Sequence, residues 1–328
     1  MNGTAALGVL LAGVLMLAVG WFGHLPLRKG APVLARFPRL AIALLFGGVL
    51  IWPAAIVAVV LAFAWVVTGP DVLPMGAAQV CQQCVAAANP FTLTTVETGI
   101  PSVTFLLLPI IAGALGTAGV AAQYFSRLRR SRELAGVVLA GSSRQWIHGY
   151  QVALATDEAT WALSFSRGQG GIVLSTGACE RLDKQELIAV LEHEEAHLRQ
   201  RHHLIADLVA SIAAQLRWVP FIREAAAGIP AYLEIAADDQ ARSKVGTTAL
   251  VRALLILGER VLPTGVSGMV AGPLPAAGPE RIPHLVSPAI GQCGLLPAAA
   301  ATIQLMVLSV VSVVVLSSYA NALLSGCI

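Results

Sequence analysis

Long stretches of this chain carry no charged residue, and that pattern constrains its fold more than any other. Four apolar runs stand out, at 5–22, 40–67, 103–122 and about 299–318. Each is close to or above the roughly 20 residues a helix needs to cross the hydrocarbon core of a bilayer. Lipid cannot satisfy an open backbone, so helix is the expected form. Charged residues make up 12% of the chain, against about 25% in ordinary soluble domains. The second run exceeds a straight crossing and contains Trp52-Pro53. It is expected to tilt, kink at Pro53 or extend past the membrane, with a pair of half-spans as the alternative. No Lys or Arg precedes the first run, which reads as a retained anchor.

Basic residues orient these spans. Arg28, Lys29, Arg36 and Arg39 lie between the first two runs, and Arg127, Arg129, Arg130 and Arg132 follow the third. The intervening loop, 68–102, has only Asp71 and Glu97 as charges. Cytoplasmic flanks are the ones enriched in Lys and Arg. The expected protein is therefore an α-helical integral membrane protein of the plasma membrane with four transmembrane helices. A membrane part spans 1–125, a cytoplasmic α+β domain spans 126–298, and 299–328 forms the fourth span and a short outer tail, with both termini outside. The formal net charge of +3 does not indicate nucleic acid, because the basic residues flank apolar segments and are not interleaved with aromatics. The lipid bilayer is the expected partner, and a homodimer is compatible with the sequence.

The outer loop holds Cys81-Gln82-Gln83-Cys84. On an oxidising face these form a short disulfide or stay as thiols; a redox pair or half of a metal site is the alternative. Cys179, Cys293 and Cys327 are badly placed to complete a four-cysteine site, and Cys179 reads as a small buried apolar residue.

Within 126–298, Arg132–Ala140 reads as a short helix and Trp146–Val152 as a short strand or loop edge. Trp161–Ser166 and Ile172–Leu174 read as strands joined by the flexible Gly168-Gln169-Gly170-Gly171. No nucleotide-binding glycine pattern is present. A helix then opens at Asp183, with Glu186 three residues on as a capping box requires. Leu187, Ile188, Val190 and Leu191 fill its apolar face. No Gly or Pro interrupts 183–218, so one long helix, or two joined by a bend, is expected.

That helix carries His193-Glu194-Glu195-Ala196-His197. Residues four apart share a helix face, so His193 and His197 can bind one Zn²⁺ per chain. Glu194 can reach a water on the open position of the metal. This is the HExxH pattern of zinc peptidases, although a helix rich in Glu and His would show the same letters without a metal. Two histidines and a carboxylate complete a site that keeps a position for water. Glu234, in Glu234-Ile235-Ala236-Ala237-Asp238-Asp239, is the expected third ligand, on a second helix starting near Pro230 after a chain reversal. Asp238, one turn on, is placed to accept a ring N–H of a liganding histidine. The rivals are His202, His203 and Asp207, but on a continuous helix His202 and His203 point away from His197. Glu194 is the expected general base and acid. Arg242, His148 and Tyr150 are weak candidates for stabilising an oxyanion. Ile172–Leu174 either packs in the core or receives an extended substrate by edge pairing.

HEEAH at 193–197 with EIAADD at 234–239 resembles the M56 peptidases, the family of the membrane part of the β-lactam sensor-transducers. The Glu-x-x-Ala-Asp pattern is shared with the M48 membrane peptidases, and three spans, a catalytic domain and a final span favour M56. The resemblance implies a cytoplasmic gluzincin-type zinc metalloendopeptidase domain. It implies His193, His197 and Glu234 as zinc ligands, Glu194 as the catalytic residue and Asp238 as support. It further implies a protein substrate such as a cytosolic winged-helix repressor. No S-x-x-K pattern follows the last span, so direct acylation by a β-lactam is not expected. Two other functions stay open: a membrane quality-control peptidase of the M48 kind, and a non-enzymatic sensor or scaffold, which would bind no zinc.

Overall fold

The computed structural model describes residues 3–68 and 102–258, with seven single helical positions between 299 and 313. The outer loop with Cys81 and Cys84, the segment containing Cys293, and the fourth run with Cys327 lie outside the described residues, apart from those single positions. Helix α1 spans Gly3–Phe22, α2 His24–Leu34, α3 Pro38–Thr68 and α4 Ser102–Leu139. By length and composition α3 and α4 can each cross a membrane, and the pair α1–α2, bent by 60°, makes a third if counted as one span.

The membrane helices depart from expectation in two places. The basic stretch after the first run is not a loop but helix α2, whose Leu27, Val33 and Leu34 are buried. The segment 132–140 is not a separate helix either. It is the end of α4, which continues unbroken past the arginines because nothing after Pro109 interrupts it. Pro53 sits inside α3 without dividing it. Beside it, the Trp52 indole donates to the Met16 carbonyl at 3.0 Å. Gly20 makes room for that indole, since a Cβ there would stand 2.6 Å from Trp52 Cζ2.

The soluble part begins with a four-stranded sheet in the order β1-β2-β4-β3. These strands are β1 Ser143–Ile147, β2 Tyr150–Ala155, β3 Ala162–Ser164 and β4 Ile172–Ser175. β1 and β2 form an antiparallel hairpin where a single strand or loop edge was expected. Its two-residue turn is His148-Gly149, with φ of 48° and 89°, as the right-handed twist of a tight hairpin demands. β2 and β4 are parallel, and β3 and β4 antiparallel. β4 is thus an inner strand, buried at all four residues. Its edges are both paired, so Ile172–Leu174 cannot add a substrate strand; the core alternative holds.

Helices α5 Thr176–Arg181, α6 Lys184–Arg199, α7 His202–Gln215, α8 Pro220–Val245 and α9 Thr247–Gly258 follow. α6 lies between the sheet and α8. α8 starts at Pro220, a favourable first helical position, not near Pro230. It passes through Gly228 and Pro230 because its apolar face is anchored to the membrane helices. Phe221, Ile222, Ile229, Tyr232 and Leu233 share one buried cluster with Met16, Leu45, Val49 and Trp52. Burying a large apolar side chain contributes about 1.5–3 kcal/mol, so several together outweigh the roughly 3 kcal/mol that an interior proline costs. A second cluster, with Val152, Ile172, Leu174 and Leu191, joins the sheet to α6.

Candidate active site

The site is built from α6 and α8. α6 starts as expected: Asp183 accepts from the Glu186 N–H at 2.8 Å, and Glu186 accepts from the Asp183 N–H at 2.9 Å. Such a cap contributes about 1 kcal/mol and fixes where the helix begins. Leu187, Val190 and Leu191 then face the sheet, and the same register buries His193 and His197 at 9% and 4% exposure.

The two imidazole Nε2 atoms stand 3.1 Å apart. α8 brings Glu234 to them, with Oε2 3.5 Å from His193 Nε2 and Oε1 3.4 Å from His197 Nε2. A tetrahedral ion with bonds of about 2.0–2.1 Å holds its ligand atoms about 3.3 Å apart. The side chains present therefore fit Zn²⁺. Among the described residues no other group of His, Cys, Asp and Glu gathers in this way. The arrangement is a His-x-x-x-His…Glu set consistent with a gluzincin-type zinc metalloendopeptidase and with one Zn²⁺ per chain.

Asp238, 1% exposed, places Oδ1 2.9 Å from His193 Nδ1. Burial disfavours a charge on the His193 ring, but Asp238 and Glu234 outweigh it and push its pKa up to about 10. Burial and the neighbouring His193 hold His197 well below the usual histidine range. Without a metal, the carboxylates draw a proton into this pocket; the pocket is built to hold a cation.

The stretch 183–218 forms two helices, and the break brings in a residue that the continuous-helix argument turned away. Arg201 adopts a left-handed conformation, φ 53° and ψ 40°. The chain turns there, and His202 swings back so that its Nδ1 lies 2.9 Å from His197 Nδ1. His203 contacts the edge strand, its Nε2 3.3 Å from Ser164 Oγ. Neither they nor Asp207 joins the metal group.

Glu194 follows His193 on α6 and is half-buried. Its neighbour Glu195 accepts from Arg167 at 2.7 Å, tying the β3–β4 loop to the active helix. Two of the three oxyanion candidates, Arg242 and Tyr150, have partners of their own, and the third lies in an exposed turn. His148 occupies the exposed β1–β2 turn, Arg242 pairs with Asp239 at 2.8 Å, and Tyr150 donates to Glu192. Glu192, 4% exposed, also receives Lys244 and the Gln240 amide. This cluster was not anticipated. Its one signal was a carboxylate one turn after Ile188, beside the apolar face, where an unpaired acid would be costly.

Residues 130–254 match the model of Peptidase family M48. That match corrects the M56 resemblance: the shared motifs suit both families, and the order of spans had favoured the wrong one. No curated protein and no solved structure matches the chain.

Proposed function

We propose that this chain is a membrane-embedded zinc endopeptidase that cuts proteins at the cytoplasmic face of the plasma membrane. The carrying observation is the convergence of three buried ligand side chains, from α6 and α8, whose polar atoms approach to 3.1–3.5 Å. Bound zinc would polarise the scissile carbonyl and acidify the attacking water. His193, His197 and Glu234 would hold it, and Asp238 would orient His193. Glu194 takes a proton from the attacking water and passes it to the leaving amine.

The basic flanks of α3 and α4 support the cytoplasmic placement, with four crossings, both termini outside and the catalytic part spanning 126–298. The M48 match favours the quality-control reading, in which membrane proteins are the substrates, over cleavage of a soluble repressor.

The test compares the native chain with Glu194→Gln by zinc content and by mass spectrometry of new N-termini in cells. Both proteins should hold zinc, and a set of membrane-protein fragments should depend on Glu194. Fragments of a soluble DNA-binding repressor instead would favour the signalling reading. A native protein with no zinc, or no fragment that depends on Glu194, would overturn the peptidase.

A further inference from the structure

The protons on two rings and two amides have only one consistent arrangement. A neutral His197 can offer the Nε2 lone pair to a cation only if its proton sits on Nδ1. That Nδ1 lies 2.9 Å from His202 Nδ1, on a ring that is 2% exposed. Two ring nitrogens at this distance share one proton, so His202 must accept at Nδ1 and carry its own proton on Nε2. His202 Nε2 is 3.4 Å from Gln200 Oε1. The Gln200 amide donates to Gln240 Oε1 at 3.1 Å, and the Gln240 amide donates to Glu192 Oε2 at 3.2 Å. The ionised Glu192 can only accept, and Tyr150 and Lys244 hold it in place.

His202, Gln200 and Gln240 thus each accept one hydrogen bond and donate one, and the relay runs from His197 to a buried carboxylate without a reversed link. The direction set by Glu192 is the direction that Nε2 ligation needs. Metal-bound histidines almost always donate their second ring N–H to a fixed acceptor. His193 has Asp238 close by for this, whereas His197 has no carboxylate at Nδ1 among its described contacts.

We propose that His202 is a positioning residue for the metal: through the relay Gln200–Gln240–Glu192 it fixes the tautomer and ring orientation of His197. The inference rests on the reading of His197 as a zinc ligand. It also gives the left-handed Arg201 a purpose, since only the turn at that residue returns the first residue of α7 to the end of α6.

The test uses the full chain in detergent and three readouts: zinc affinity by competition with a chromophoric chelator, the absorption bands of the Co²⁺-loaded protein, and thermal unfolding without metal. His202→Ala should weaken zinc binding about 10–100-fold and shift the Co²⁺ bands, while the metal-free protein still unfolds cooperatively with only a modest fall in melting temperature. His202→Asn, whose amide oxygen can accept from His197 Nδ1–H, should recover most of the affinity. Unchanged affinity in His202→Ala overturns the proposal alone. Absence of zinc from the native protein overturns the ligand reading and this proposal with it. If His202→Ala does not fold, Gln200→Leu carries the test: a several-fold loss of affinity supports the relay, and native affinity overturns it.

Discussion

Asp238 Oδ1 lies 2.9 Å from His193 Nδ1, one helical turn past Glu234, so a single face of α8 brings two carboxylates to the histidine pair. Asp238→Ala should leave the three ligands in place yet weaken zinc binding about 10–100-fold. Asp238→Asn, which keeps an acceptor oxygen, should lose less. Chelator competition on the purified chain measures both.

Zinc should also act as a clip between α6 and α8. A ligand that binds only the folded state adds about 2.7 kcal/mol at one hundred times its dissociation constant. Stripping the metal should therefore lower the melting temperature, and added Zn²⁺ should restore it. Glu234→Gln should show a much smaller difference between the two conditions. Scanning calorimetry or intrinsic fluorescence would read the shifts, and equal melting of loaded and stripped native protein would count against the clip.

Gly177 offers a test of packing away from the metal. A Cβ on it would stand 2.1 Å from the Glu158 carbonyl oxygen, which is backbone and cannot swing aside. Gly177→Ala should cost at least the 1–3 kcal/mol or so typical of an overfilled core. Gly136, within α4, has nothing within 4 Å of the corresponding position. Gly136→Ala should be neutral or stabilise by up to about 1 kcal/mol. Denaturant unfolding of the two variants would separate them.

Glu192 should matter more for stability than its absence from the zinc group suggests. Tyr150, Lys244 and Gln240 all donate to it, linking β2, α6 and α8. Glu192→Ala leaves two of these donors, Tyr150 and Gln240, part-buried without their acceptor and should cost about 1–3 kcal/mol. Lys244→Ala should cost less, because its ammonium, 54% exposed, can be solvated once released.

The parts of the site that sequence made legible are those set by neighbours along the chain. The Asp183–Glu186 cap and the histidine pair follow from spacing on one helix, and Glu234 from the need for a third, carboxylate ligand; the structure has all three, with Glu234 on a helix that begins at Pro220. The parts that were not legible depend on contacts distant in sequence. Gly228 and Pro230 look like a helix break until Ile229 and Tyr232 are seen packed against α3. His202 points away from the metal unless Arg201 is known to be left-handed, and arginine gives no local sign of that conformation. The basic segment of α2 reads as a loop because its helical form is stabilised by burial against other helices. Choosing between M56 and M48 failed for a related reason: five- and six-residue motifs report the shared metal chemistry, not the lineage around it.

The helix that carries Glu234 and Asp238 has its opposite side sealed into the same apolar cluster as Met16, Val49 and Trp52. Excising residues 126–258 as a water-soluble enzyme would therefore strip the greasy backing from Phe221, Ile222 and Ile229 and free the segment that bears the third ligand. Such a fragment should aggregate or bind metal poorly, so the bilayer anchor counts as part of the catalytic apparatus and purification needs the chain from its first helix onward.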